Sequence, residues 1–223
     1  MQRLYLSTSF ADYYAVEDLG ANSHDLIELI RSRRSIRWFK QENIPEEDLT
    51  RILEAGIRAP TASGGEQWMF AVIKDESKRK VFHDFIRRGQ MIYLSRMLKN
   101  PLKEEELRKW ETMFDKGIYL APIYVIGMLN FNRRTLADEY LLYEYLWGVE
   151  SVSLALENMM LSAWSLGYGT VWLAVPKLLE EELKSALNLP PNTSYVGALA
   201  LGRPNEQPQL RPRQPLESSV IFL

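Results

Sequence analysis

No cysteine occurs among the 223 residues of this chain. That excludes disulfides, thiolate metal ligands and thiol nucleophiles together. Histidine is nearly as scarce. Only His24 and His83 are present, which puts a histidine-built metal centre out of reach. An excess of one charge is also lacking. The 27 Lys and Arg against 29 Asp and Glu give a formal net charge of −2, which argues against a general nucleic-acid binder. Any anion must therefore be met by a local cluster of Arg or Lys. Apolar runs such as Ile118 to Leu129 fall short of the roughly 18 residues a membrane-spanning helix needs, so no membrane partner is expected. Residues 1–10 hold no basic segment followed by an apolar core, so a cytoplasmic location is expected. Neither a Gly-x-Gly-x-x-Gly turn after a strand nor a Walker-type loop appears.

What is present is an ordinary globular composition, 46% hydrophobic and 25% charged, of a length that fits one sizeable domain. Residues 1–22 read as an N-terminal arm, whose Tyr5, Phe10, Tyr13 and Tyr14 call for something to pack on. Residues 23–223 read as one domain. Ser23 is a candidate N-cap for a helix over His24–Arg34, with Leu26, Ile27 and Ile30 on one face. Pro45 suits the first turn of a second helix, whose Leu49, Ile52, Leu53, Gly56 and Ile57 form a stripe up to Pro60. Strands are expected at Trp68–Lys74, Pro122–Leu129, Thr170–Val175 and Tyr195–Leu201. The second, continuously apolar, is expected at the centre of a sheet. Residues 75–117 read as a polar helical excursion broken at Asn100-Pro101. Glu139–Leu166 reads as a long helix buried on more than one side, and Leu178–Leu187 as a short one. Helices first, then strands at irregular intervals, indicate an α+β fold.

Four stretches can carry chemistry. Arg33-Arg34-Ser35-Ile36-Arg37 offers three guanidiniums and a hydroxyl as a cradle for phosphate, although cations also gather at helix ends to complement the dipole. Pro60-Thr61-Ala62-Ser63-Gly64-Gly65 gives backbone access and hydroxyls, or simply a helix-to-strand turn. Gly167-Tyr168-Gly169-Thr170 marks a tight corner between helix and strand. Arg211-Pro212-Arg213 is a stiff basic arm, or a solvated tail.

In this order the four stretches, with Trp68 and Leu201-Gly202-Arg203-Pro204, resemble the nitroreductase family of FMN (flavin mononucleotide) enzymes from about Ser23 to the C-terminus. The resemblance implies a central, mostly antiparallel sheet of four to five strands surrounded by helices, in an intertwined homodimer with flavin sites at the subunit interface. It implies that Arg33, Arg34 and Ser35 hold the FMN phosphate and ribityl chain, and that Arg211 and Arg213 close over the same phosphate. Arg37 matches the cation near the flavin N1 and O2 edge, where two-electron reduction leaves negative charge. Pro60, Thr61, Ala62, Ser63 and Gly64 match a loop that reaches the flavin of the other subunit. Thr170, Ala174 and Val175 match the segment beside the reactive N5 edge. The family's usual loop Asn is Gly64 here, and its Gln-Pro is Glu66-Gln67.

The function so implied is a ping-pong oxidoreductase passing electrons from NAD(P)H to a small oxidised acceptor such as a nitroaromatic or quinone. The chemistry sits on the cofactor, and no catalytic side chain or metal is required. Tyr93, Arg96, Trp110, Phe114 and Lys116 in the excursion are candidates for lining the acceptor site, the competing reading being packing against the body. His24 and His83 read as surface residues. The alternatives are a reductive dehalogenase or dehydrogenase on the same fold, or a non-catalytic flavin-binding protein. Iodotyrosine deiodinase, a relative, has a glutamate where this chain has Gly89, which disfavours the first.

Overall fold

The computed structural model describes residues 23–223, with side chains from residue 26. The arm expected over 1–22 and the side chains of Ser23 and His24 lie outside the described residues. Among the described residues, 23–32 fall in a unit of their own. In it α1 (Ser23–Ser32) carries Leu26, Ile27 and Ile30, and Arg31 pairs with Glu28 at 2.8 Å. The helix stops at Ser32 rather than Arg34. The following residues are extended, because Ile36 N donates to Thr170 O at 2.9 Å instead of closing another helical turn.

From Arg33 onward the second unit is built on one sheet. Its strands are β1 (Trp68–Ile73), β2 (Ile123–Asn130), β3 (Gly169–Leu173) and β4 (Thr193–Gly202), in the order β1-β2-β4-β3 and antiparallel throughout. Every residue of β2 is buried, as its unbroken apolar run requires. Alternate strand residues feed two cores. Ile126, Met128, Leu173 and Ala198 face Phe82, Phe85 and Ile86 of α3 (Glu76–Ile92), Phe114 of α4 (Glu104–Asp115) and Leu183 of α6 (Glu180–Leu187). On the other side Val125, Leu199 and Leu201 meet Leu49 and Ile52 of α2 (Glu46–Gly56) and Val152, Leu156 and Met159 of α5 (Leu141–Ser165). Each such fully buried aliphatic side chain contributes roughly 1.5–3 kcal/mol relative to leaving it in water.

Pro45 stands at the cap just before α2 rather than inside its first turn. Proline suits that place because a helix start leaves its amides unpaired, and Glu46, Glu47 and Asp48 meet the positive end of the dipole. Asp75 caps α3 by accepting from Lys78 N at 3.0 Å. Beyond α3 comes one π-helical turn, Tyr93–Met97, before the chain breaks near Pro101. Only one side of α5 packs on the sheet, whereas its sequence predicts burial on more than one side, Leu146 included. The other side presents Leu142, Tyr143, Leu146, Trp147 and Leu154, which this chain leaves exposed. Among the described residues no helix is long and apolar enough to cross a membrane.

Candidate functional site

The extended segment after α1 runs along the β3 edge and is pinned at three places. Ser35 bridges to Thr170, Lys40 N donates to Arg203 O at 2.9 Å, and Asn205 N donates to Trp38 O at 2.9 Å. The fit at the first pin is tight. A Cβ on Gly169 would lie 2.4 Å from Ile36 Cγ1, so only glycine lets this segment close on β3. The chain leaving β4 therefore returns beside residues 33–40. Glu206 secures it, one carboxylate oxygen accepting from the backbone amides of both Arg37 and Trp38.

This return closes a crevice of about 210 Å³. Arg33, Arg34, Ser35 and Arg37 form one wall, and Gln209, Leu210, Arg211 and Arg213 the other. Arg33 Nη1 is buried there with no hydrogen-bond partner, and Arg33 Nε is 3.9 Å from Glu157. A buried guanidinium N–H without an acceptor is costly, and a phosphate oxygen is the kind of acceptor that satisfies it. Arg37 Nη1 donates to Ser35 O at 3.2 Å, which orients its charge.

A second, apolar pocket of about 280 Å³ lies between α3, its π-helical turn and the residues after β3. Ile86, Tyr93, Met97, Leu173 and Val175 line it, with Ala174 and Tyr119. Gly89 lines it too, and a Cβ there would lie 2.8 Å from Pro176 Cδ. A longer side chain requires α3 to move away from the end of β3. Tyr119 holds a left-handed backbone, φ +65°, which costs a non-glycine residue on the order of 1–2 kcal/mol. Burial pushes its hydroxyl pKa up, and the Arg37 guanidinium beside it offsets this only in part, so the hydroxyl stays protonated at neutral pH.

The Pro60–Gly64 loop lines neither of these two pockets. Ser63, Gly64 and Glu66 take φ of +52°, +65° and +45°, and a polar chain holds them there. Glu66 N donates to Thr61 Oγ1, Thr61 Oγ1 to Gln67 Oε1, and Gln67 Nε2 to Glu144 Oε1, each at 3.1 Å. Glu144 Oε2 accepts from Thr135 N and Leu136 N at 3.0 and 2.8 Å. Burial pushes the Glu144 carboxyl up, but these donors outweigh it and hold the group below the usual carboxylate value. A side chain at residue 64 would meet nothing within 4 Å, so the constraint there is backbone conformation, which asparagine also tolerates.

The expected acceptor-lining residues divide. Tyr93 lines the apolar pocket. Phe114 is 3% exposed in the core and Trp110 packs against that core, because α4 turns its apolar face to the sheet. Arg96 and Lys116 are exposed and line neither pocket. His83 is half-buried rather than a freely exposed surface residue. Its Nε2 donates to Ile118 O at 2.9 Å beside Phe114, and burial lowers its pKa despite that bond. Tyr119, Glu206 and the Gln67–Glu144 pair were not singled out by the sequence. Only Gly117, two residues before Tyr119, hinted at a special turn. Among the described residues no cluster of His, Asp and Glu is placed to hold a metal ion.

The sequence model of the nitroreductase family matches residues 30–203. A candidate NAD(P)H nitroreductase of Bacillus subtilis is 28% identical over 192 residues, 86% of this chain and 90% of that one. Iodotyrosine deiodinase 1 of Sus scrofa is 26% identical over 213 residues, 93% of this chain and 72% of the relative. The solved structure of an NADPH:FMN oxidoreductase from Vibrio harveyi, in complex with NAD+, superposes with a TM-score of 0.67. It is 21% identical and the match covers 89% of this chain and 76% of that one, a likeness of fold alone.

Proposed function

Because the chain belongs to the nitroreductase family, we propose that it is an FMN-dependent oxidoreductase that draws electrons from NAD(P)H and passes them to a small oxidised organic acceptor. The observation that carries this reading is the convergence of Arg33, Arg34, Ser35 and Arg37 with Arg211 and Arg213 around one crevice. The buried Arg33 Nη1 supplies the fit, since it needs an acceptor such as a phosphate oxygen. When bound, FMN supplies two-electron redox chemistry that no side chain of this protein offers. The residues around it bind and orient. Arg33, Arg34, Ser35, Arg211 and Arg213 hold the phosphate end. Arg37 is the fixed cation for the edge that gains negative charge. Thr170, Ala174 and Val175 frame the reactive side, where one apolar pocket serves donor and acceptor in turn, a ping-pong order.

A homodimer accompanies this reading. The exposed apolar side of α5 lacks cover in the single chain, and such faces mark association sites. The 60–64 loop lies away from its own crevice, in keeping with service to the site of a second copy. Nitroaromatics and quinones are the acceptor classes proposed, and the cytoplasm the location. Between this reading and the reductive dehalogenase, the packing of Gly89 against Pro176 favours the former.

The test is the visible spectrum of the purified protein and its change on mixing with NADH or NADPH. A flavin band that bleaches rapidly and returns when a quinone is added is the expected result. Colourless protein, or a flavin that neither donor reduces, overturns the reading.

A further inference from the structure

Tyr119 lines the apolar pocket and lies beside Arg37, which lines the arginine crevice. Its side chain is 7% exposed and forms part of the wall of the apolar pocket, with its ring 5.8 Å from that of Phe114. Its amide donates to Arg37 O at 2.7 Å, which fixes the left-handed turn and brings its hydroxyl against the Arg37 guanidinium. Arginine can only donate, so the phenolic oxygen is the acceptor in that contact and keeps a proton of its own to give. Glu206, the carboxylate near this pair, takes the amides of Arg37 and Trp38 on its Oε1 and makes no hydrogen bond to the Tyr119 hydroxyl. Among the described residues no group accepts the Tyr119 proton.

We propose that Tyr119 is a specificity-determining residue of the apolar pocket, its hydroxyl donating a hydrogen bond to a carbonyl or nitro oxygen on the edge of a planar acceptor while Arg37 orients that hydroxyl. The proposal deepens the oxidoreductase reading and rests on it. The pocket wall is otherwise largely apolar, so it grips any flat ring, and the one buried hydroxyl separates oxygen-bearing rings from bare ones. A satisfied donor rewards the correct ligand and leaves an unpaired polar group against the wrong one.

The test compares 1,4-naphthoquinone with naphthalene as ligands of the oxidised protein, with no NAD(P)H present, by quenching of tryptophan fluorescence; Trp172 lines the pocket. Tyr119→Phe keeps the ring and removes only the hydroxyl. It should weaken naphthoquinone binding about three- to tenfold, the usual worth of one neutral hydrogen bond, and change naphthalene binding less than twofold. Equal losses for both ligands, an unchanged quinone affinity, or wild-type protein that binds neither ligand overturns the proposal. If Tyr119→Phe does not fold, Arg37→Met reads the same pair and should show a smaller loss confined to the quinone. Failure of the oxidoreductase reading shows separately, as absent flavin colour or absent bleaching by NAD(P)H, since the ligand comparison needs no turnover.

Discussion

Replacing Glu144 by glutamine measures how firmly the 60–67 loop is held. The carboxylate is 2% exposed and accepts from Gln67 Nε2, Thr135 N, Thr135 Oγ1 and Leu136 N at 3.1, 3.0, 3.3 and 2.8 Å. A glutamine keeps an oxygen for Thr135 and Leu136 but turns an NH2 group toward that of Gln67. Turning Gln67 over restores that bond only by leaving the Thr61 hydroxyl proton, which Gln67 Oε1 now accepts, without its acceptor. One hydrogen bond is lost outright and the others lose their charge. Bonds to a charged group are worth about 1.5–3 kcal/mol and neutral ones about 1, so the expected loss is about 3 kcal/mol. That corresponds to a Tm lower by roughly 6–12 °C for a chain of this size. Urea unfolding at fixed protein concentration reads the change, with an unaltered slope. The pH dependence has a definite sign. The carboxyl pKa is lower in the folded protein, so its stabilisation is complete above the unfolded value of about 4.3 and is lost as pH falls through the folded one. The gap between wild type and Glu144→Gln therefore narrows in acid. A loss under about 0.5 kcal/mol, the range of ordinary surface changes, or a gap that stays constant into acid, refutes the reasoning.

Three further outcomes are expected. Arg33→Ala should weaken FMN retention roughly 10- to 100-fold, the worth of a charged hydrogen bond, and Arg213→Ala should weaken it too; release of flavin fluorescence on dilution measures both, and unchanged retention in the pair removes the phosphate assignment. Gly169→Ala forces a methyl against Ile36 Cγ1 and should cost about 1–3 kcal/mol, as overpacking does, together with faster amide exchange at Ile36; wild-type exchange there contradicts the pinning of this segment to β3. His83 has a folded pKa below its ordinary value of about 6.5, so the unfolded chain takes up protons more readily. Stability is then full above that value and falls as pH drops beneath it, and in urea titrations across that range His83→Gln should fall less steeply than wild type.

The sheet was legible wherever one residue pattern admits one environment. The run Pro122–Leu129 has no charged side and is expected at the centre, where β2 lies. Boundaries shifted where a distant strand decided them. α1 ends early because Ile36 pairs with Thr170, and β3 stops at Leu173 because Ala174–Pro176 turns to meet α3. The arginine clusters could be named because each is visible as a run. Their meeting follows from a sheet order and a backbone bridge that no run reveals. Tyr119 was missed for a related reason. Nothing beside it in the chain is charged, and its significance comes from Arg37 through space. Phe114 and Trp110 show the converse. An aromatic on a polar helix faces either a ligand or the body, and only the orientation of α4 resolves the choice, toward the core.

The arginine crevice also sets the relation between folding and binding. Some cations on the surface of this protein meet carboxylates closely, as Arg88 meets Glu182 at 2.6 Å and Arg134 meets Asp138 at 2.7 Å. At the crevice the contact of Arg33 with Glu157 is long, and Glu206 gives its oxygen to backbone amides rather than to a guanidinium. The crevice draws like charges from residues 33–37 and 211–213 together, and their mutual repulsion opposes the compact state. An anion bound there removes that repulsion and gives the buried Arg33 Nη1 its acceptor. Because the walls come from residues 33–37 and 209–213, the same anion ties the two ends of this unit together. If the crevice takes the FMN phosphate as proposed, that binding energy is also folding energy for residues 33–37 and 209–213, and occupancy and the order of the C-terminal arm rise together.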